Sequence, residues 1–203
     1  MKIAFLRHGP TEWNALGKVQ GQTDIPLSEH GLVKMAALRL PLAVTRVYAS
    51  PLLRARQTAQ ALGLENPILD ARLMEQHWGI WEGLTRAEIL ARHGADAFVK
   101  AGAGQGEAFR PGNGESTGEI QARVAGFLKD VAAEDGDAVA VAHLGVLRAA
   151  YILATGWNMA TPMPAELDVS KILLLSLDAA GVPVIEKLNL EFDARDGKTL
   201  PLA

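Results

Sequence analysis

Two histidines stand at the ends of short apolar runs. His8 follows Ile3-Ala4-Phe5-Leu6 and Arg7, and His143 directly follows Ala138-Val139-Ala140-Val141-Ala142. Continuous apolar runs of this length are the pattern of strands covered on both faces in a parallel sheet. Open α/β sheets bind ligands beyond the carboxyl ends of their strands, so the two imidazoles can converge although they are far apart in the chain. An imidazole that is unprotonated on one nitrogen is a nucleophile for phosphorus. Arg7 beside His8 disfavours the imidazolium and attracts a phosphoryl group. The other ring nitrogen then needs a fixed acceptor to set the tautomer, and a backbone carbonyl is expected. Because a transferring phosphoryl group spreads its charge over its equatorial oxygens, the site must also supply preorganised donors.

The elements that would hold these residues follow from local punctuation. Ser50-Pro51 reads as the N-cap and first residue of a helix that carries Leu52, Ala55, Ala59 and Leu62, with Gly63 at its C-terminal end. Ser116-Thr117-Gly118-Glu119 is a capping-box pattern ahead of Ile120, Val124, Phe127 and Val131. A third helix is expected to open at about Ser28 and another just after Gly145. Ile172 to Leu177 and Val182 to Leu188 read as a hairpin, with Pro183 favouring an edge position for the second strand. From about Glu75 to Glu115 the βα rhythm stops, and Ala101-Gly102-Ala103-Gly104-Gln105-Gly106 is too small and flexible to build a core. The expected architecture is α/β: a three-layer α/β/α sandwich on a mostly parallel sheet, one domain over 1–203, with a helical cap inserted at about 75–115.

Five ordered patterns carry a resemblance. They are Arg7-His8-Gly9-Pro10-Thr11-Glu12-Trp13-Asn14; Gln20-Gly21-Gln22-Thr23-Asp24 with Ser28 and Gly31; Ser50-Pro51-Leu52-Leu53-Arg54; Glu75-Gln76-His77-Trp78-Gly79-Ile80-Trp81-Glu82-Gly83; and Gly114-Glu115-Ser116, joined by the strand-end His143. At these residues, from Met1 to about Gly156, the chain resembles the histidine phosphatase superfamily, also called the phosphoglycerate-mutase-like family. The segment from Glu75 to Gly83 is similar to the small-phosphatase branch, which includes broad-specificity and α-ribazole phosphatases. The resemblance implies a phosphohistidine formed on His8, with Arg7, Arg54, His143 and Asn14 around the phosphoryl oxygens. It places the general acid/base at Glu75. Some branches use an Asp directly after the second histidine, and here that position is Leu144, which directs the role back to Glu75. Glu82 is the nearest rival, expected instead to hold the Trp81 turn or touch substrate. Gln20, Gly21 and His77 are expected near the substrate.

The second histidine motif departs from the family's H-G-G-x-x-R, reading His143-Leu144-Gly145-Val146-Leu147-Arg148. A backbone N–H of Leu144 at the following helix N-terminus can still meet a phosphate oxygen, whereas its side chain forbids glycine-only dihedrals and narrows the approach. The expected reaction is phosphomonoester hydrolysis without metal or organic cofactor. A mutase is the alternative within the same chemistry, but it needs a longer basic insertion, and the cap carries only Arg86, Arg92, Lys100 and Arg110. A non-catalytic phosphate-binding module is the alternative outside it, disfavoured by the intact His8 and Glu75.

Composition sets the frame. The chain has 203 residues, 20 Lys+Arg against 23 Asp+Glu, a formal net charge of −3, 49% hydrophobic residues and no Cys. Disulfides and thiol chemistry are excluded, and the balance of charge argues against a protein that coats nucleic acid. Arg7 interrupts the N-terminal apolar run before it reaches the length of a signal-peptide core, and no run approaches a membrane span. The expectation is a cytoplasmic enzyme whose partner is a small phosphomonoester, not nucleic acid or membrane; the oligomeric state stays open.

Overall fold

The structure, a computed structural model, describes residues 1–159 and 161–195; residues 196–203 of the expected domain lie outside the described residues. Its strands are β1 (Lys2–Arg7), β2 (Leu38–Arg39), β3 (Arg46–Ala49), β4 (Ile68–Leu69), β5 (Ala138–Ala142), β6 (Ile172–Leu177), β7 (Pro183–Leu190) and β8 (Asp193–Ala194). Its α-helices are α1 (Glu12–Ala15), α2 (Glu29–Ala36), α3 (Leu53–Ala61), α4 (Arg86–His93), α5 (Ala97–Lys100), α6 (Thr117–Ala132) and α7 (Leu144–Thr155). Strands order as β4-β3-β5-β1-β6-β7 in one sheet. β1, β3, β4 and β5 run parallel, and β6 and β7 join antiparallel. β7 lies at the edge that Pro183 favours.

The period-2 alternation of the central strands divides the core into two faces. Ile3 and Phe5 of β1, with Ala138 and Ala140 of β5, pack against Phe127 and Leu128 of α6 and Leu147 and Ala150 of α7. Ala4, Leu6, Val139 and Val141 point the other way, against Met35 of α2 and Ala55 and Ala59 of α3. Helices therefore cover both faces, which is the three-layer arrangement. Every residue of β5 is buried, as its unbroken apolar sequence requires.

Ser116 and Glu119 form the reciprocal capping box at the start of α6, and Ser28 caps α2. Gly63 adopts φ +73° after α3, with its N–H bonded to Gln60 O and the Leu64 N–H to Ala59 O. Two helix starts differ from the sequence reading. α3 opens at Leu53, not Pro51, because the Ser50 N–H still donates to Val141 O at 2.9 Å and extends the β3/β5 ladder. The cap comes from a distant segment instead, Asp24 Oδ1 accepting the Leu53 N–H at 2.6 Å. α7 opens at Leu144, with His143 itself at the N-cap. Residues 75–115 hold α4, α5 and short 3₁₀ turns, and no strand; Trp81, Ile89 and Ala97 form a small core of their own there with Trp78, Phe98 and Phe109. Among the described residues no helix is long and apolar enough to cross a membrane.

Candidate active site

The end of β1 and the end of β5 bring the two histidines together. Arg7 pairs with Ala142, and the His8 N–H donates to Ala142 O at 2.9 Å, so the ladder continues to the histidines themselves. The rings lie 5.1 Å apart between centroids, with His8 7% exposed and His143 fully buried. His8 Nδ1 lies 2.7 Å from Gly9 O, which accepts only if that nitrogen carries the proton. The lone pair is thereby left on Nε2. Burial, then Arg54 and Arg7, push His8 down to about 3, against a small opposing effect of the Gly9 carbonyl. His143 is held well below its ordinary value by burial and by His8 and the surrounding arginines. Both rings are neutral at physiological pH.

Arg54, on the first turn of α3, is fully buried. Its Nη1 donates to Thr23 O at 2.9 Å and its Nη2 to Gly21 O at 2.7 Å. Gly21 thus positions Arg54 through its carbonyl, and with φ +51° and a Cβ position 2.0 Å from Glu82 Oε1 it has no room for a side chain. Buried Arg7 Nε, Arg54 Nε and both nitrogens of His143 have no hydrogen-bond partner among the described residues. Buried donors are normally satisfied, so this cluster is a cradle shaped for an anion. Burial lowers Arg7 and Arg54 from their usual values, with Glu75 opposing, and both remain cations. Asn14 Oδ1 accepts the Thr11 N–H and hydroxyl, both at 2.9 Å, and so turns the amide nitrogen outward. Asn14 lines a cavity of about 240 Å³ with Arg7, His8, Lys34, Ser170 and Phe192. Gln20 is half-buried, and its Oε1 is withdrawn from solvent with no partner among the described residues.

Glu75 reaches the site from the other side. Its Oε1 accepts the Gln76 N–H and the Gly145 N–H, both at 2.8 Å, and its Oε2 has no hydrogen bond among the described residues. Gly145 is required for this contact, since a Cβ there would lie 2.3 Å from Glu75 Oε1. Neither Leu144 nor Gly145 has a positive φ, so the leucine costs no backbone strain, contrary to the sequence expectation. The first turn of a helix needs no glycine-only dihedrals.

Four supporting residues escaped the sequence reading of the site or received another role there. Glu82 accepts the backbone N–H groups of Gln22, Thr23 and Trp78 and the Thr23 hydroxyl. It thereby fixes the loop whose carbonyls hold Arg54. Gln22 Nε2 donates to Glu75 O at 3.0 Å, and Arg123 Nη2 does so at 3.2 Å while pairing with both oxygens of Glu115. A motif position signals Glu115 and Gln22, whereas nothing local distinguishes Arg123 on α6. His77 is exposed, its Nε2 3.6 Å from Glu82 Oε1. Among the described residues, no three His, Asp or Glu side chains gather as a metal site would require.

Residues 3–191 match the histidine phosphatase superfamily (branch 1). The chain belongs to this superfamily. It is 30% identical over 194 residues to phosphoserine phosphatase 1 of Hydrogenobacter thermophilus, covering 91% of this chain and 86% of that one. It is 34% identical over 168 residues to a glucosyl-3-phosphoglycerate phosphatase of Mycobacterium tuberculosis, covering 73% and 72%. A solved structure of a mycobacterial glucosyl-3-phosphoglycerate phosphatase with VO3 superposes with a TM-score of 0.77 at 27% identity, covering 93% of this chain and 98% of that one. This histidine phosphatase is thus an α/β enzyme of phosphate-ester chemistry, of the small-phosphatase kind that its motifs resemble.

Proposed function

We propose that this histidine phosphatase hydrolyses a small phosphomonoester through His8, as a single domain in which residues 75–115 cap the site. The observation that carries the reading is the 2.7 Å contact of His8 Nδ1 with Gly9 O, which leaves the Nε2 lone pair facing a buried cluster of unpartnered donors. In the first step Nε2 forms a bond to phosphorus, the phosphorus–oxygen bond to the alcohol breaks, and the proton on Glu75 Oε2 passes to the departing oxygen. Arg7, Arg54, His143, Asn14 and the Leu144 N–H take the phosphoryl oxygens, where preorganised donors lower the barrier most. In the second step the Glu75 carboxylate removes a proton from water, whose oxygen attacks phosphorus; inorganic phosphate leaves and neutral His8 returns. All proton transfers and charge stabilisation come from the chain. The names of the relatives, phosphoserine phosphatase and glucosyl-3-phosphoglycerate phosphatase, support a substrate whose alcohol carries a carboxylate.

The test is hydrolysis of p-nitrophenyl phosphate with and without EDTA, for the natural chain and for His8→Ala. Turnover that survives EDTA and disappears with the substitution is expected. Turnover retained by His8→Ala overturns the phosphohistidine route.

A further inference from the structure

The chain pairs nearly all the arginines that it withdraws from solvent. Arg46 donates to Glu134 and to carbonyls, Arg54 to the carbonyls of Gly21 and Thr23, Arg72 to Asp70 and Asp130, Arg123 to Glu115, and Arg195 to Leu62 O. Arg7 and Arg148 are the exceptions: among the described residues neither guanidinium has a hydrogen bond or ion pair, and the Nε of each is buried. A withdrawn, unpaired guanidinium N–H is costly, and it persists where an anion is to be received. The phosphoryl group accounts for Arg7. It does not account for Arg148, which lies one helical turn after the Gly145 N–H that holds Glu75.

The placement of Arg148 follows from helix geometry. Leu144, Gly145 and Arg148 share one face of α7, three and four residues apart. Gly145 N–H holds Glu75 Oε1, so the arginine one turn later lies next to the general acid. Burial lowers its guanidinium from the usual value, and the charged groups that act on it are Glu75, which opposes the shift, and Arg7, which adds to it. Among the described residues no ion pair joins Glu75 to it, and Glu75 Oε1 is already shared by two N–H groups. Arg148 also lines a cavity of about 50 Å³ with Gln76, Trp78, Phe109, Ile152 and Met159. That volume suits a group the size of a carboxylate, and its walls are mainly apolar.

We propose that Arg148 is a specificity-determining residue that receives a carboxylate on the leaving alcohol, directly beyond the oxygen that Glu75 protonates. This rests on the reaction proposed above, because the leaving group must pass Glu75 for its oxygen to take the proton. The favoured substrate is then a short phosphomonoester bearing a carboxylate, and an uncharged analogue leaves the half-buried guanidinium unpaired.

Two matched substrate pairs test this. 3-Phosphoglycerate and glycerol 3-phosphate differ by a carboxylate against a hydroxymethyl group, and O-phosphoserine and O-phosphoethanolamine by a carboxylate against hydrogen. The readout is the ratio of kcat/KM within each pair, which cancels differences in folded fraction. In Arg148→Met the ratio should fall by about 30-fold or more in at least one pair, since truncating one partner of a buried charge pair removes that much. Arg148→Lys should retain part of the preference. If Arg148 serves only to support Glu75, both members of a pair lose activity equally and the ratio stands, which overturns the proposal. So does a natural chain that hydrolyses p-nitrophenyl phosphate but shows no preference for the carboxylate in either pair. Failure to hydrolyse any of the five esters would instead sink the phosphatase reading itself.

Discussion

Substitution of Gly145 by alanine tests how narrowly Glu75 is held. A Cβ at position 145 would lie 2.3 Å from Glu75 Oε1, 3.0 Å from Ile120 Cδ1 and 3.3 Å from Gln76 Cβ. Ordinary contact begins at 3.4 Å, so the carboxylate must retreat by 1.1 Å (3.4 − 2.3). The clash falls on the far end of a flexible side chain, and alanine is the better helix former by up to about 1 kcal/mol, so stability should change little. Catalysis should not be spared, because a displacement of about 1 Å in a reacting group costs on the order of 100-fold. The assay is kcat/KM on an alkyl phosphomonoester and on p-nitrophenyl phosphate, with thermal unfolding measured in parallel. An alkoxide cannot depart without a proton, whereas p-nitrophenolate departs readily. The alkyl ester should therefore lose about 100-fold and the aryl ester about tenfold or less. Equal losses on both esters would point to a disturbed phosphoryl cradle around Leu144 and refute the assignment of Glu75 as the acid.

Two further outcomes are expected. Burial and the neighbouring arginines hold His8 at about 3 and His143 well below its ordinary value, so the unfolded chain takes up protons below about pH 6.5 that the folded chain refuses. Stability should fall as pH drops from about 6.5 towards 3, by up to about 1.4 kcal/mol per pH unit for His8, with His143 adding to the fall below about 6.5, and His8→Asn should remove the His8 slope from urea midpoints measured between about pH 4 and 6. An unchanged slope would show that His8 is protonated in the fold. Glu82→Ala should free the N–H groups of Gln22 and Thr23 and with them the loop that holds Arg54. Inhibition by inorganic phosphate should weaken by about tenfold, with about 2 kcal/mol or more lost in stability, and an undiminished phosphate affinity would contradict that role.

The site was legible in the sequence wherever a residue follows directly from a strand end. His8 and His143 close apolar runs that only a doubly covered strand explains, and their convergence follows from the parallel pairing of β1 with β5. The capping boxes at Ser116 and the signal at Ser28 were equally local. What lay hidden depends on partners distant in the chain. The true start of α3 is set by Asp24 and by the hold of Val141 on Ser50, neither of which the Ser-Pro pair reveals. Gly145 reads as a loop glycine until Glu75, 70 residues away, is seen to fill its missing side chain. Arg148 reads only as the arginine that closes the second histidine motif until its lack of a partner becomes visible.

The continuous hydrogen bonding from β1 and β5 into His8 has an evolutionary consequence. Since the His8 N–H is itself a rung of the ladder, the spacing of the two rings is counted in residues from the paired strands. Side chains along β1 and β5 can drift among apolar types of similar volume without moving either ring. A single inserted or deleted residue in either strand is another matter, because it slips the register and sends the histidine to the opposite face. Length variation in descendants of this chain is therefore confined to the connections, where 75–115 can change size and acquire new substrates while the reacting pair stays where the sheet puts it.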